Sequence, residues 1–265
     1  MVAEKRRLKS EELIAFKSSD GVSLCGIHRR AKGKPRAGIV LAHGICVDKD
    51  FAGFQAGLAR ELVKHGFETF RFDFRGHGES GGRTEDTTIA GEIRDMTAAV
   101  GVLESFDLPE IGVIGHSFGG GVSVLYAAKA RRPPCALALL APTIDFRRTF
   151  LNPETPWTKM WYTPSAMARA VGKGVLVVGG MRYSAGLIRE FHTLDPAGTL
   201  RELEMPVLVV HGDSDTCSSY LATHDATMAA PRVKFTRIRG ADHYFDGQRA
   251  RVYQLVAKWL ESKVP

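Results

Sequence analysis

Cysteine is scarce and scattered: Cys25, Cys46, Cys135 and Cys217 are four residues among 265. No CxxC pair and no Cys/His ligand spacing joins them, and no HExxH occurs. Neither a disulfide scaffold nor a metal centre is therefore expected. Long apolar runs are also missing, and none reaches the length that crosses a bilayer. The start, MVAEKRRLKSEEL, is basic at first but turns acidic where a secretory signal needs its apolar stretch. These absences point to a cytoplasmic protein of a reducing compartment that is not inserted in a membrane. Nor does one sign of charge dominate: 36 Lys and Arg against 29 Asp and Glu leave a formal +7. The basic clusters Lys5-Arg6-Arg7, Arg29-Arg30, Arg131-Arg132 and Arg147-Arg148 are short and are not interleaved with aromatics. They read as solvated surface, so no nucleic-acid partner is expected. There is no internal repeat and no cofactor fingerprint.

What remains is ordinary globular composition, 44% hydrophobic and 25% charged, in a chain long enough for one α/β domain. Short β-branched runs alternate with longer amphipathic ones. Leu13 to Phe16 and Val22 to His28 predict an opening hairpin. Strands are expected at Ala37 to Ala42, Phe67 to Phe74, Ile111 to Ile114, Ala136 to Leu140, Val207 to Val210 and Val233 to Ile238. Between them, helices are expected at Phe51 to His65, Ile89 to Phe106, Ser117 to Lys129, Ser218 to Ala229 and Asp246 to Leu260. This rhythm implies a mostly parallel, doubly wound central sheet covered on both faces. It breaks between residues 144 and 200, a stretch rich in Pro, Trp, Tyr, Met and Arg. That stretch reads as a short cap inserted into a single domain spanning residues 1–265. Within it, the glycine-bounded run from Gly174 to Met181 reads as a small hairpin.

One constellation carries chemistry. Gly115-His116-Ser117-Phe118-Gly119 is a GxSxG set between an apolar strand and a small-residue helix. A sharp strand-to-helix turn there lifts a serine hydroxyl clear of the sheet, and small neighbours let the two elements approach. The second match, Gly78-Glu79-Ser80-Gly81-Gly82, abuts no apolar element, so Ser80 reads as a loop residue. A serine is a poor nucleophile until a base takes its proton. Of nine histidines, His243 follows the last strand, at the sheet edge where Ser117 emerges. The imidazole needs a carboxylate to fix its tautomer. Asp213 and Asp215 both follow the Val207 strand, and Asp215, further into the loop, is favoured. The oxyanion would meet two backbone N–H groups, that of Phe118 at the helix start and that of Ile45 after the Ala37 strand.

The set LAHGI, FDFRGHGES, GHSFGG, VVHGDSDT and GADHYF resembles the α/β-hydrolase superfamily over nearly the whole chain, from Ala37 to Leu260. Within it the chain is similar to the branch of monoacylglycerol lipases, serine-aminopeptidase-like hydrolases and bacterial cinnamoyl (feruloyl) esterases, most of all the last. The resemblance implies an α/β-hydrolase fold and a triad of Ser117, Asp215 and His243. It also implies oxyanion donors at Ile45 and Phe118, and a cap that binds an aromatic acyl group. Trp157, Trp161 and Tyr162 are then candidates to stack on a ring, and Asp145 to meet a ring hydroxyl. In that superfamily the FDFRGHGES segment is a structural loop, expected here to hold a buried Asp73–Arg75 pair. The expected activity is a cofactor-free, metal-free serine carboxylic-ester hydrolase acting on small or aromatic small-molecule esters. Lipase-, thioesterase- and aminopeptidase-like chemistry are the alternatives, with a non-catalytic binding protein behind them. A homodimer is compatible with this reading.

Overall fold

Every residue of Ala37–Ala42 is apolar or glycine, so neither face of that run can be left to water, and the strand takes the middle of the sheet. The computed structural model describes residues 5–8 and 11–264. Its strands are β1 (Lys5–Leu8), β2 (Glu11–Lys17), β3 (Ser23–Arg29), β4 (Ala37–Ala42), β5 (Phe67–Phe72), β6 (Ile111–His116), β7 (Leu137–Leu140), β8 (Val175–Val178), β9 (Met181–Ser184), β10 (Val207–Gly212) and β11 (Val233–Ile238). Nine of them form one sheet in the order β1-β2-β3-β5-β4-β6-β7-β10-β11, and β8 pairs with β9 apart from it. The first three strands are antiparallel, as is the β3–β5 pairing. From β5 to β11 every pairing is parallel.

The helices are α1 (Phe54–Lys64), α2 (Ile89–Glu104), α3 (Phe118–Lys129), α4 (Pro156–Trp161), α5 (Pro164–Lys173), α6 (Ala185–Thr193), α7 (Pro196–Glu202), α8 (Tyr220–Met228) and α9 (Arg249–Lys263). Side-chain alternation along β4 sorts them onto two faces. Ile39 and Leu41 join a core with Leu58 and Leu62 of α1 and Val252 and Val256 of α9. Val40 and Ala42 face the other way, toward Met96 of α2 and Val122 of α3. From β4 the chain crosses outward to β5 and then returns to place β6 on the opposite side of β4. The sheet's order therefore reverses between β4 and β6. Such a switch opens a crevice at the carboxyl ends of the strands.

Between β7 and β10 lie a short π-helical turn (Arg147–Leu151), α4, α5, the β8–β9 hairpin, α6 and α7. Aromatic rings fill this segment. Phe150 stacks on Phe191 with centroids 3.9 Å apart, and Tyr162 lies 4.8 Å from Phe150. Phe118 of the elbow meets Phe150 edge-on at 5.9 Å, which ties the segment to the sheet. The hairpin turns at Gly179 and Gly180, both at positive φ, as a two-residue loop requires. The apolar run read as a hairpin is thus one strand and its turn, and the second strand continues to Ser184.

Several boundaries differ from expectation for backbone reasons. Helix α1 begins at Phe54 rather than Phe51, because Phe51, Ala52 and Gly53 all sit at positive φ (45°, 48° and 78°) and cannot continue a right-handed helix. Helix α9 begins after Gly247, whose φ of 71° likewise breaks it. Strand β5 stops at Phe72 rather than Phe74. Strand β1, which holds Lys5-Arg6-Arg7, is the edge strand of the sheet.

Candidate active site

Ile45, Ser117, Asp215 and His243 each follow a strand at the carboxyl edge of the sheet. Ser117 follows β6 with φ 53° and ψ −124°, a strained conformation for a residue bearing a Cβ. Neighbours fix it: its N–H donates to Leu140 O (3.0 Å), and its carbonyl accepts from Thr143 N (2.8 Å) and Gly120 N (2.9 Å). Glycine is required around it by contact. A Cβ on Gly119 would lie 2.2 Å from His43 O, and one on Gly44 would lie 2.9 Å from Ser117 Cβ. The loop after β4 is therefore pressed against the serine, across the switch point. Ile45 and Phe118 both line the pocket above it, and neither N–H donates to a backbone carbonyl among the described residues.

His43 holds that loop. Its Nε2 accepts from Phe74 N (3.0 Å), so Nδ1 carries the hydrogen and donates to Gly44 O (2.7 Å). Burial and the nearby His77 push its pKa down to about 3, so the ring stays neutral and the tautomer is fixed.

Asp215 and His243 meet across the ends of β10 and β11. Asp215 Oδ2 accepts from His243 Nδ1 at 2.7 Å, and Oδ1 accepts from Cys217 N (2.7 Å) and Ser218 N (2.8 Å). Oδ2 also accepts from His211 Nε2 at 3.0 Å. Burial alone would raise this carboxyl, but the charge of His243 and the hydrogen bonds from His211 and His243 outweigh it and hold the group well below the usual carboxylate range. Asp213 faces elsewhere, bonding Arg237 and Gly240 N. His243 lines the same pocket as Ser117. Its Nδ1 is taken by Asp215, and among the described residues Ser117 Oγ makes no hydrogen bond to it. Such contacts commonly tighten only when substrate binds.

The pocket has a cavity volume of about 40 Å³. Phe51, Phe118, Phe150, Trp157 and Tyr244 supply its aromatic wall. Thr143 and Ser218, whose hydroxyls lie 3.0 Å apart, and Thr149 supply a polar one. Of the four ring-binding candidates, Trp157 lines it. Tyr162 packs against Phe150 and Phe191, Trp161 lies against the edge of the same core, and the Asp145 carboxylate caps the Arg148 N–H at 2.9 Å. Asp215, Cys217 and His243 present ligating atoms within 4.8 Å of one another. Both oxygens of Asp215 are already filled by hydrogen-bond donors, and burial pushes the Cys217 thiol up to about 11. The trio is therefore a poor metal cage.

Sequence reasoning missed two supporting histidines. His211 is the penultimate residue of β10 and reads as strand alternation, and only its placement four residues before Asp215 hints at its role. His116 precedes Ser117 in the elbow, and its Nε2 lies 3.2 Å from the His243 carbonyl, so it donates there. The FDFRGHGES segment is structural, but with other partners than expected. Asp73 accepts from Lys49 N and Nζ and from Glu79 N, whereas Arg75 forks onto Asp95 and Asp20. Ser80 is a loop residue whose Oγ donates to Asp73 O (2.6 Å) and accepts from Cys25 N (2.9 Å).

A parallel sheet with a strained serine elbow at its switch point and flanking helices is the α/β-hydrolase fold, and this chain is a serine hydrolase of that type. Residues 33–197 match the model of the family described as Serine aminopeptidase, S33, and the chain belongs to that family. Similar proteins include a monoacylglycerol lipase of Mycolicibacterium smegmatis, 29% identical over 68% of this chain and 71% of that one. A Rattus norvegicus monoglyceride lipase is 30% identical over 56% of this chain, which spans about half (47%) of that relative. Among solved structures, the ferulic acid complex of Est1E from Butyrivibrio proteoclasticus superposes with a TM-score of 0.81 at 24% identity, covering 94% of this chain and 98% of that one. The Pyrococcus furiosus esterase Pf2001 superposes with a TM-score of 0.72 at 19% identity, covering 99% and 92%. The chain is an enzyme of the carboxylesterase-type serine hydrolases. No helix among the described residues is long and apolar enough to cross a membrane.

Proposed function

We propose that the protein hydrolyses esters with short acyl groups through an acyl-enzyme on Ser117. The observation that carries this is the 2.7 Å bond from His243 Nδ1 to Asp215, with His243 and the strained Ser117 on one pocket. Asp215 holds the Nδ1–H tautomer, leaving Nε2 bare as the base. Nε2 takes the Ser117 proton as Oγ attacks the ester carbonyl. The tetrahedral oxyanion sits against the N–H groups of Ile45 and Phe118, at the start of α3. The imidazolium then protonates the departing alkoxide, and the acyl group stays on Oγ. A water enters, loses its proton to the same nitrogen, and frees the acid and the serine.

Pocket size supports the acyl preference. About 40 Å³ holds a few water-sized groups, which suits an acetyl or propionyl arm. An aromatic acyl arm is the second reading. It is favoured by Phe150 and Trp157 in the wall and by the ferulic acid bound in the structurally similar Est1E.

The test is purified protein with p-nitrophenyl acetate, longer p-nitrophenyl esters and methyl ferulate, together with a fluorophosphonate probe. Ser117→Ala is expected to abolish both turnover and labelling, with little change in melting temperature. Turnover retained by that variant removes the serine mechanism. Higher kcat/KM for methyl ferulate than for the acetate reverses the choice of substrate.

A further inference from the structure

The β8–β9 hairpin reaches the loop after β4 through the Tyr183 phenol and the Val178 carbonyl. Cys46, which follows Ile45, has φ 62°, a left-handed conformation unusual for a residue with a Cβ. Such a conformation persists only where its surroundings over-determine it. Here every tether to Cys46 comes from the hairpin. Cys46 N–H donates to Tyr183 Oη of β9 (3.2 Å), and Sγ donates to Val178 O of β8 (3.2 Å). The turn residue Gly179 lies so close that a Cβ there would come within 3.0 Å of Sγ.

The direction of the hydrogen bonds is fixed by chemistry. His77 Nδ1 faces Arg75 O at 3.0 Å, and a carbonyl only accepts, so Nδ1 carries the hydrogen. Burial lowers the His77 pKa, so the ring is neutral and Nε2 is bare. Tyr183 Oη, 3.2 Å away, donates to that Nε2 in preference to the thioether of Met181 at 3.4 Å, a weak acceptor. Its lone pairs are thereby turned toward the Cys46 N–H. Tyr183 itself is wholly buried. The relay runs from the loop after β5, through the hairpin, to the residue beside Ile45.

We propose that Tyr183 is a positioning residue for the reaction: by holding Cys46 in its left-handed conformation it aims the Ile45 N–H at the developing oxyanion. The insertion then contributes to chemistry as well as to the pocket wall. This rests on the hydrolase reading above, because an oxyanion donor matters only if Ser117 attacks a carbonyl.

Tyr183→Phe removes the hydroxyl and keeps the ring. The expected result is a fall in kcat of tenfold or more on p-nitrophenyl acetate, with KM within twofold of wild type. A boronic acid that forms a tetrahedral adduct on Ser117 should lose affinity by a similar factor. A purely structural role would instead lower the melting temperature and leave kcat within twofold, and that outcome overturns the proposal. So does a change confined to KM. Cys46→Val and Cys46→Gly form the second arm and decide the matter if Tyr183→Phe does not fold. Valine, which resists a positive φ, should reproduce the kcat loss, and glycine, which adopts it without a tether, should recover most of it. Equal kcat for both at the wild-type level overturns the proposal. Wild-type protein that neither turns over esters nor labels at Ser117 sinks the hydrolase reading instead, so the two failures are distinguishable.

Discussion

Replacing Asp215 with asparagine asks the most of the site. The carboxylate accepts four hydrogen bonds: two backbone N–H groups at Oδ1, and the His243 and His211 rings at Oδ2. An amide has only one oxygen. If that oxygen faced the histidines, its NH₂ would confront the N–H groups of Cys217 and Ser218 and leave buried donors unpaired, at about 1–3 kcal/mol each. The oxygen therefore stays with the backbone, and the NH₂ turns to the rings. Its two hydrogens suit His243 Nδ1 and His211 Nε2 well, provided both rings change tautomer. His243 then carries its hydrogen on Nε2, pointing toward the serine, and cannot act as a base. A wrong tautomer in a serine–histidine–aspartate site lowers kcat by about 10⁴-fold, or about 5.4 kcal/mol of barrier. Stability should change little by comparison. His211 Nδ1 is buried without a partner, and it stays unpaired in the variant, now as an N–H instead of a bare nitrogen. The assay is p-nitrophenyl acetate hydrolysis beside thermal unfolding, with Asp213→Asn as the control. Asp213 serves only Arg237 and Gly240 at the surface, so its variant should stay within about threefold of wild type. A larger loss for Asp213→Asn, or a loss under tenfold for Asp215→Asn, refutes the reasoning.

Gly44→Ala drives a methyl to 2.9 Å from Ser117 Cβ. The resulting shift of the oxyanion loop should cost about tenfold to a hundredfold in kcat, and an unchanged kcat would show that the loop yields freely. Trp157→Ala should open the pocket wall. The kcat/KM ratio of methyl ferulate to p-nitrophenyl acetate is then expected to rise, and a constant ratio would place the acyl arm elsewhere. Glu92 is buried with Oε2 unpaired, and burial, with Asp95 and Glu190 nearby, raises its pKa well above 4.5. The folded state keeps that proton to higher pH than the unfolded chain does, so stability declines as pH climbs past 4.5. Glu92→Gln cannot ionise and should melt higher than wild type at pH 8 but not at pH 5. A difference that is the same at both pH values contradicts the assignment.

What the sequence made legible was what neighbours along the chain determine. The run AGIVLA reads as a two-sided buried strand and GHSFGG as a kinked turn because the relevant periods and small residues lie within a few positions. Asp215 and His243 were singled out because both sit just past strand ends, where parallel sheets gather such groups, and the fold places their side chains 2.7 Å apart. Partnerships across long stretches were not legible. Arg75 could not be matched to Asp20 and Asp95, nor Tyr183 to Cys46 at 137 positions' remove. His211 and His116 were hidden for another reason. Each lies within two residues of a strand's end, where a polar residue looks like the ordinary end of an element. Three residues at positive φ before α1 leave no mark in composition, since Phe51 and Ala52 are common inside helices.

The uncharged imidazoles around the crevice carry an environmental cost. His43, His77 and His116 are all driven below the ordinary histidine value, first by burial. The unfolded chain protonates such rings near pH 6.5, whereas the native fold resists, so their contribution to stability is intact above that point and drains away as the medium sours. Acidification should therefore strike first where these rings fasten the loops, loosening the reaction centre while the sheet behind it still stands.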